Sequence, residues 1–174
     1  MNIFYLDHNV AKCAEMHVDR HCVKMILEYA QLLSTAHHII DRCSVSTPHI
    51  YKPTHVYHPS AIWVRQSNEN YNWLYSLLES LLSEYTFRYG KNHATARLLP
   101  YLAKAPNDIP IDVFTEPTPA MPFKFKIEGN SIQSYRNYYN GSKQHLFSWK
   151  HRPVPSFVIN SDEQGDNQVM ISHQ

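Results

Sequence analysis

Apolar side chains fill more than half of a helical wheel drawn through residues 17–38, a stretch that contains neither proline nor glycine. At about 100° per residue, this pattern predicts a single helix of about six turns. Because so apolar a helix buries most of its surface, we expect it to be the central helix of the fold. A polar stripe remains along it, formed by His17, His21, Lys24 and Glu28. Their spacings of four, three and four stack these side chains one above another.

A second amphipathic helix is predicted over residues 68–89, where leucines and tyrosines repeat every three or four positions. Ser67 can cap its start, and Gly90 can adopt the left-handed conformation that often follows a helix. Shorter helices are predicted over residues 10–16 and 59–65, over 94–105 with a break at Pro100, and from 130 or 131 to 139, with Gly141 as the end.

The remaining segments carry weaker patterns. Residues 2–6 alternate between apolar and polar and predict a short strand or an extended arm, and residues 42–57 predict a loop. Five prolines between residues 106 and 123 predict an extended strap on the surface. We therefore predict an all-α protein with two long amphipathic helices, several short ones and this strap. Its single domain would span residues 1–155, and residues 156–174 would form a polar tail.

The charge balance excludes a bulk electrostatic attraction to nucleic acid, since 16 basic residues face 15 acidic ones and the formal net charge is +1. Any DNA contact must therefore come from a local patch of cations. Three cysteines without close pairing and the lack of a membrane-length apolar run predict a cytoplasmic protein with no membrane partner. Four glycines are too few for a glycine-rich phosphate cradle, so no cofactor is predicted. The oligomeric state is left open.

The polar stripe has three interpretations. It is a solvated helix face, or a metal site in which His17 and His21 share one ion, or the reacting wall of a cleft. The metal interpretation is opposed by the positive charge of Lys24 and by the lack of an HExxH motif. In the third interpretation Lys24 is partly desolvated, which lowers its pKa and makes it a nucleophilic amine, and Glu28 takes its proton.

Cations near helix ends and an aromatic, basic stretch near the C-terminus predict contacts to phosphate or to a nucleotide. The candidate binding residues are Arg20, Arg65, Arg88, Lys91, Arg136, Tyr139 and Lys143.

The run from Met1 to His38, the later HPSAIWVRQSNENYNWLY and the ending YYNGSK…WKHRPVP resemble a family of uncharacterised phage and bacterial proteins. More distantly, the chain resembles the pyrimidine-dimer DNA glycosylases, the phage endonuclease V family. The matching pieces are AEMH over residues 14–17, ESLLSEYTFRYG ending at Gly90, and YRNYYNGSK over residues 135–143.

The glycosylase resemblance implies a small all-α protein that flips a base and cleaves its glycosidic bond through an imine. That family uses the α-amine exposed when its initiator methionine is removed, whereas the large Asn2 here blocks removal of Met1. The family's catalytic glutamate aligns with Lys24, so the carboxylate is replaced or shifted to Glu28, and the family's assisting arginine has no match.

The leading hypothesis is a phage-type enzyme that acts on DNA bases or nucleotides, with DNA or a nucleotide as its partner. His17, His21, Lys24 and Glu28 would be its catalytic residues. The alternatives are a non-catalytic protein that binds a nucleotide or a partner, and a metal-dependent hydrolase that uses His17 and His21.

Overall fold

The computed structural model describes residues 1–41 and 49–160, and within these ranges all regular structure is helical, which confirms the predicted all-α class. The α-helices are α1 (Val10–Met16), α2 (Asp19–Ile40), α3 (Pro59–Gln66), α4 (Asn68–Tyr89), α5 (Leu99–Leu102) and α6 (Ser131–Ser142). Short 3-10 turns cover Ala94–Leu98, Phe123–Phe125 and Gln144–Leu146. None of the described helices combines the length and the apolar character needed to cross a membrane.

The core forms where α2 and α4 pack against each other, with α1 against α4 and α3 against both long helices. Met25, Tyr29, Trp63 and Leu78 are almost completely buried in it. Full burial of one such side chain contributes roughly 1.5–3 kcal/mol. The apolar faces read from the sequence therefore meet in one core, as expected of two amphipathic helices.

Helix α4 begins after Ser67 and ends before Gly90, as predicted. The Oγ atom of Ser67 accepts a hydrogen bond from the backbone N–H of Asn70 at 3.1 Å, and Gly90 has a φ of 67°. A residue with a Cβ is disfavoured at such a φ, which explains why glycine follows the helix.

The prediction of one helix over residues 17–38 is wrong at its start. His17 and Val18 are extended, and α2 begins at Asp19 and continues to Ile40. Two long-range contacts hold this break open: the backbone N–H of Val18 donates to the hydroxyl of Tyr139, and that of Asp19 donates to the carbonyl of Ser148.

Residues 2–6 form an extended N-terminal arm instead of a strand, and residues 3–6 of it are buried. The backbone N–H of Phe4 donates to the hydroxyl of Tyr29 at 3.1 Å. The carbonyl of Leu6 accepts from Nε of Arg136 at 2.9 Å, and the hydroxyl of Tyr135 donates to Asn2. The arm is therefore fixed between α2 and α6.

The proline strap over residues 106–123 begins with a turn at residues 106–109 and then has no helix until the 3-10 turn that starts at Phe123. It is tied to the start of α4 by the Asn70 amide, which bonds both the backbone N–H and the hydroxyl of Thr115. The indole of Trp63 donates to the Thr115 carbonyl at 3.1 Å.

Three other predicted bounds need correction. The helix expected over residues 94–105 is a 3-10 turn followed by the single turn of α5, and the chain leaves it at Leu102. Gly141 does not end α6, which runs to Ser142. Residues 156–160 of the predicted tail lie against α6, where Asn140 bonds the backbone of Phe157 and Ile159. Residues 42–48 of the predicted loop and 161–174 of the tail lie outside the described residues.

Replacing Gly141 with alanine should lower the free energy of unfolding by about 1 kcal/mol. A Cβ at this position would overlap the ring edge of Phe125, and such overpacking costs about 1–3 kcal/mol, against a gain of up to about 1 kcal/mol in helix propensity. Urea denaturation measures the difference. In a Phe125→Ala background the same substitution should become stabilising. A stabilising effect of Gly141→Ala alone would show that the Phe125 ring moves aside without cost.

Candidate functional site

His17, placed on the polar stripe from the sequence, is a core residue. Its Nδ1–H donates to the carbonyl of Cys13 at 2.7 Å, and its Nε2 accepts from the hydroxyl of Tyr29 at 2.7 Å. These partners fix the neutral tautomer, and complete burial lowers the pKa of His17 to about 4. With both ring nitrogens occupied, His17 is unable to bind a metal or move a substrate proton.

His21 is also buried, but slightly less completely than His17. Its Nδ1 lies 2.8 Å from the hydroxyl of Tyr139, which accepts from the backbone N–H of Val18 at 3.4 Å. The ring of Phe4 stacks on the imidazole with centroids 4.1 Å apart. The pKa of His21 is lowered to about 3, mainly by burial and also by His17 and the positive charges of Lys143, Lys24 and Arg20. Tyr139 is fully buried, which contradicts its predicted nucleotide contact.

Lys24 and Glu28 form the ion pair expected of their spacing, with Nζ 3.4 Å from Oε1. The Lys24 side chain is 64% exposed, whereas that of Glu28 is only 14% exposed. The prediction that Lys24 is desolvated is therefore wrong, and its ammonium group lies in water. Glu28 is the residue of the polar stripe whose charge is largely withdrawn from solvent.

The second oxygen of Glu28 faces an amine that the sequence pattern did not predict. The α-amine of Met1, brought there by the N-terminal arm, lies 3.5 Å from Oε2, and the Met1 side chain is almost completely buried. A largely buried carboxylate thus lies between two amines, the exposed side-chain amine of Lys24 and the α-amine of Met1.

His58 lies within electrostatic reach of this pair. Its pKa is lowered mainly by burial, and also by the positive charge of the Met1 α-amine and by His55, while Glu28 acts in the opposite direction. Its Nδ1 accepts from the backbone N–H of Ser60 at 3.1 Å, so the neutral ring carries its proton on Nε2. His55 has a φ of 48°, an uncommon conformation for histidine and one found often at functional sites. The sequence marks His58 as the start of a helix and as a possible third metal ligand beside His17 and His21, with no role next to an amine.

Arg88, predicted to hold phosphate, is buried, and four of its five N–H groups donate to groups inside the protein. Its guanidinium donates to Glu84 at 2.9 Å, to Asp19 at 3.0 Å, and to the backbone carbonyls of His17 and Glu15. Because the guanidinium is buried and pairs with Glu84 and Asp19, the prediction that it holds phosphate is corrected. The cluster joins the α1–α2 junction to α4.

Two further predicted phosphate ligands also have partners inside the protein. Arg65 donates to the carbonyl of Val56 at 2.7 Å. Arg136 donates to Leu6 and lies 3.6 Å from Asp7, beside a cavity of about 530 Å³ that none of the polar-stripe residues lines.

The other predicted phosphate ligands remain accessible. Arg20 and Lys91 are exposed. Lys143 is half-buried, with its ammonium 4.9 Å from the centre of the Tyr138 ring.

The described residues do not support the interpretation of the polar stripe as a metal site. Residues 1–41 and 49–160 contain no group of three histidine, cysteine, aspartate or glutamate side chains placed to hold a metal ion. His17 is also occupied on both nitrogens.

The fold and site define an all-α domain in which one long helix carries both the carboxylate of an amine–carboxylate pair and exposed cations. Comparison with protein-family models, with curated proteins and with solved structures finds no match to this chain. The two family resemblances therefore stay predictions.

Proposed function

We propose that this protein is an enzyme that acts on DNA bases or nucleotides through the α-amine of Met1 and the carboxylate of Glu28. The main observation is the 3.5 Å contact between the α-amine and the carboxylate of Glu28, whose side chain is only 14% exposed. Enzymes with the chemistry implied by the glycosylase resemblance need an amine nucleophile and a carboxylate beside it. The contact provides both, at the glutamate to which the sequence alignment shifts the carboxylate.

The amine can displace a base if its nitrogen bonds C1′ of the sugar while the glycosidic C1′–N bond breaks. The bonding electrons leave with the base, which takes up a proton, and Glu28 accepts the proton lost by the amine. Opening of the sugar ring then gives an imine between the α-nitrogen and C1′. Such an imine is reducible to a stable secondary amine.

Lys24 and the N-terminal arm would act as positioning groups. Lys24 holds Oε1 of Glu28 at 3.4 Å, which leaves Oε2 facing the α-amine. The arm carries Met1 and is anchored by the hydrogen bond from Phe4 to Tyr29. Free thiols at the buried Cys13 and Cys22 support a cytoplasmic location for this activity.

Borohydride trapping with an oligonucleotide that carries an abasic site tests the proposal. Wild-type protein should form a covalent adduct, and peptide mass mapping should place it on the α-nitrogen of Met1. Glu28→Gln should slow trapping by about 100-fold or more, because the charged proton acceptor is lost. Glu79→Gln, which changes an exposed carboxylate on α4, is the matched control and should trap at the wild-type rate.

Two altered proteins distinguish the α-amine of Met1 from the side-chain amine of Lys24. Lys24→Gln should still trap, since it leaves the α-amine in place, and protein acetylated at Met1 should not trap. The intact mass of each preparation reports whether Met1 carries an unmodified amine. An adduct mapped to Lys24 would overturn the assignment to Met1. No adduct with abasic DNA or with damaged or modified bases would overturn the enzymatic proposal and favour the non-catalytic binding protein.

A further inference from the structure

One face of α2 remains uncovered beside Glu28. Arg20, Val23, Lys24 and Leu27 follow one another at helical spacing on this face. Val23 and Leu27 are 41% and 40% exposed, although the opposite side of α2 is buried in the core. We call these four residues the open face of α2. It alternates cations with apolar side chains, a pattern that neither the core nor the Met1–Glu28 pair requires.

Lys143 extends the open face from a second helix. The hydrogen bond between Tyr139 and His21 joins α6 to α2, and Lys143 follows Tyr139 by one helical turn. The Tyr138 ring, 4.9 Å from its ammonium, holds the side chain in place. Arg20, Lys24 and Lys143 all lower the pKa of His21, as expected if three positive charges surround one imidazole.

The positive charge at this place is only partly compensated. Lys24 pairs with Glu28, but among the described carboxylates none lies in an ion pair with Arg20 or Lys143. The whole chain has a formal net charge of only +1. An anion is therefore attracted to this face and not to the protein in general.

We propose that the open face of α2, together with Lys143, binds a short single-stranded DNA segment through about three phosphates and leads its sugar to Glu28. Arg20 and Lys24 are separated by about 6 Å along the helix axis, which suits successive phosphates of an extended strand. Val23 and Leu27 then contact the apolar faces of sugar and base between them. Three contacts fit a few nucleotides and do not sustain binding along a duplex.

This inference rests on the proposed function, because it names the ligand of the same site. Binding is therefore measured on Glu28→Gln protein, in which the proposed chemistry is removed. Failure of trapping with retained binding would overturn the enzyme and leave the strand site standing.

The experiment is fluorescence anisotropy with labelled oligothymidylates of increasing length and with a random duplex, at several salt concentrations. Affinity should rise up to about four nucleotides and then level off. The slope of log K against log salt should be about −2, from about −0.7 for each of three phosphates. Arg20→Gln and Lys143→Gln should each make this slope shallower by about 0.7.

Lys104→Gln is the matched control, because Lys104 is an exposed lysine near His37 at the opposite end of α2. It should leave both affinity and slope unchanged. Equal slopes in wild type, Arg20→Gln and Lys143→Gln would overturn the proposal. Tighter binding to the duplex than to the single strand, or full competition by free thymidine monophosphate at matched phosphate concentration, would overturn the assignment to a strand.

Discussion

Replacing Arg88 with methionine should lower the free energy of unfolding by about 3–5 kcal/mol, the usual cost of breaking a buried ion pair. Its guanidinium donates to the buried carboxylate of Glu84 and to Asp19, and it also satisfies the carbonyls of His17 and Glu15. Methionine fills much of the volume but leaves these acceptors without their donors. Guanidinium denaturation at neutral pH measures the loss.

Arg97→Met is the matched control, since Arg97 is an exposed arginine in the 3-10 turn before α5. It should change the free energy of unfolding by less than about 0.5 kcal/mol. Adding Glu84→Leu to Arg88→Met should not recover the loss, because Glu84 keeps its two hydrogen bonds from Arg152 and the carbonyls of His17 and Glu15 stay without their donor. A loss below about 1 kcal/mol for Arg88→Met would show that water replaces the guanidinium in the cluster.

Lowering the pH from 7 to 4.5 should destabilise the protein by on the order of 5 kcal/mol through His17 and His21 together. Burial lowers the pKa of the first to about 4 and of the second to about 3, from a usual value of 6.5. Below pH 6.5 these two imidazoles therefore bind protons in the unfolded chain but stay neutral in the folded protein. The stability is complete above pH 6.5 and is lost as the pH falls toward the folded pKa values, by about 1.4 kcal/mol per pH unit for each ring.

Denaturation curves across this pH range give the total effect, and NMR titration of the imidazole carbons assigns it to individual rings. The carboxyl pKa values of Asp19 and Glu84 are held below their usual range by hydrogen bonds, which outweigh burial, so these groups add their own loss mainly at lower pH. A stability that stays flat between pH 6.5 and 4.5, or a His17 ring that titrates near 6.5, would contradict the buried neutral state.

Local sequence rules were sufficient for much of the helical framework. The bounds of α1 and α4 follow from capping residues and apolar periodicity, both of which act within a few residues of the helix. The break before α2 could not be predicted in this way. It depends on Tyr139 and Ser148, which are far away along the chain, and a helical wheel carries no information about them.

For the same reason, only part of the candidate site could be predicted from the sequence. Lys24 and Glu28 are neighbours on one helix, so their pairing follows from spacing. The approach of Met1 to Glu28 and of His58 to both depends on how the arm and the loop before α3 fold back. The wheel also treated His17 as exposed, because it assigns a face to each residue without knowing that the helix starts two residues later.

The N-terminal arm is closed by residues that lie far along the chain. The carbonyl of Leu6 accepts from Arg136 and the side chain of Asn2 accepts from Tyr135, at separations of 130 and 133 residues. Contacts between residues this distant close large loops and are slow to form during folding. A chain truncated before α6 would therefore leave the apolar arm without these hydrogen bonds, and exposed apolar segments of this kind favour aggregation.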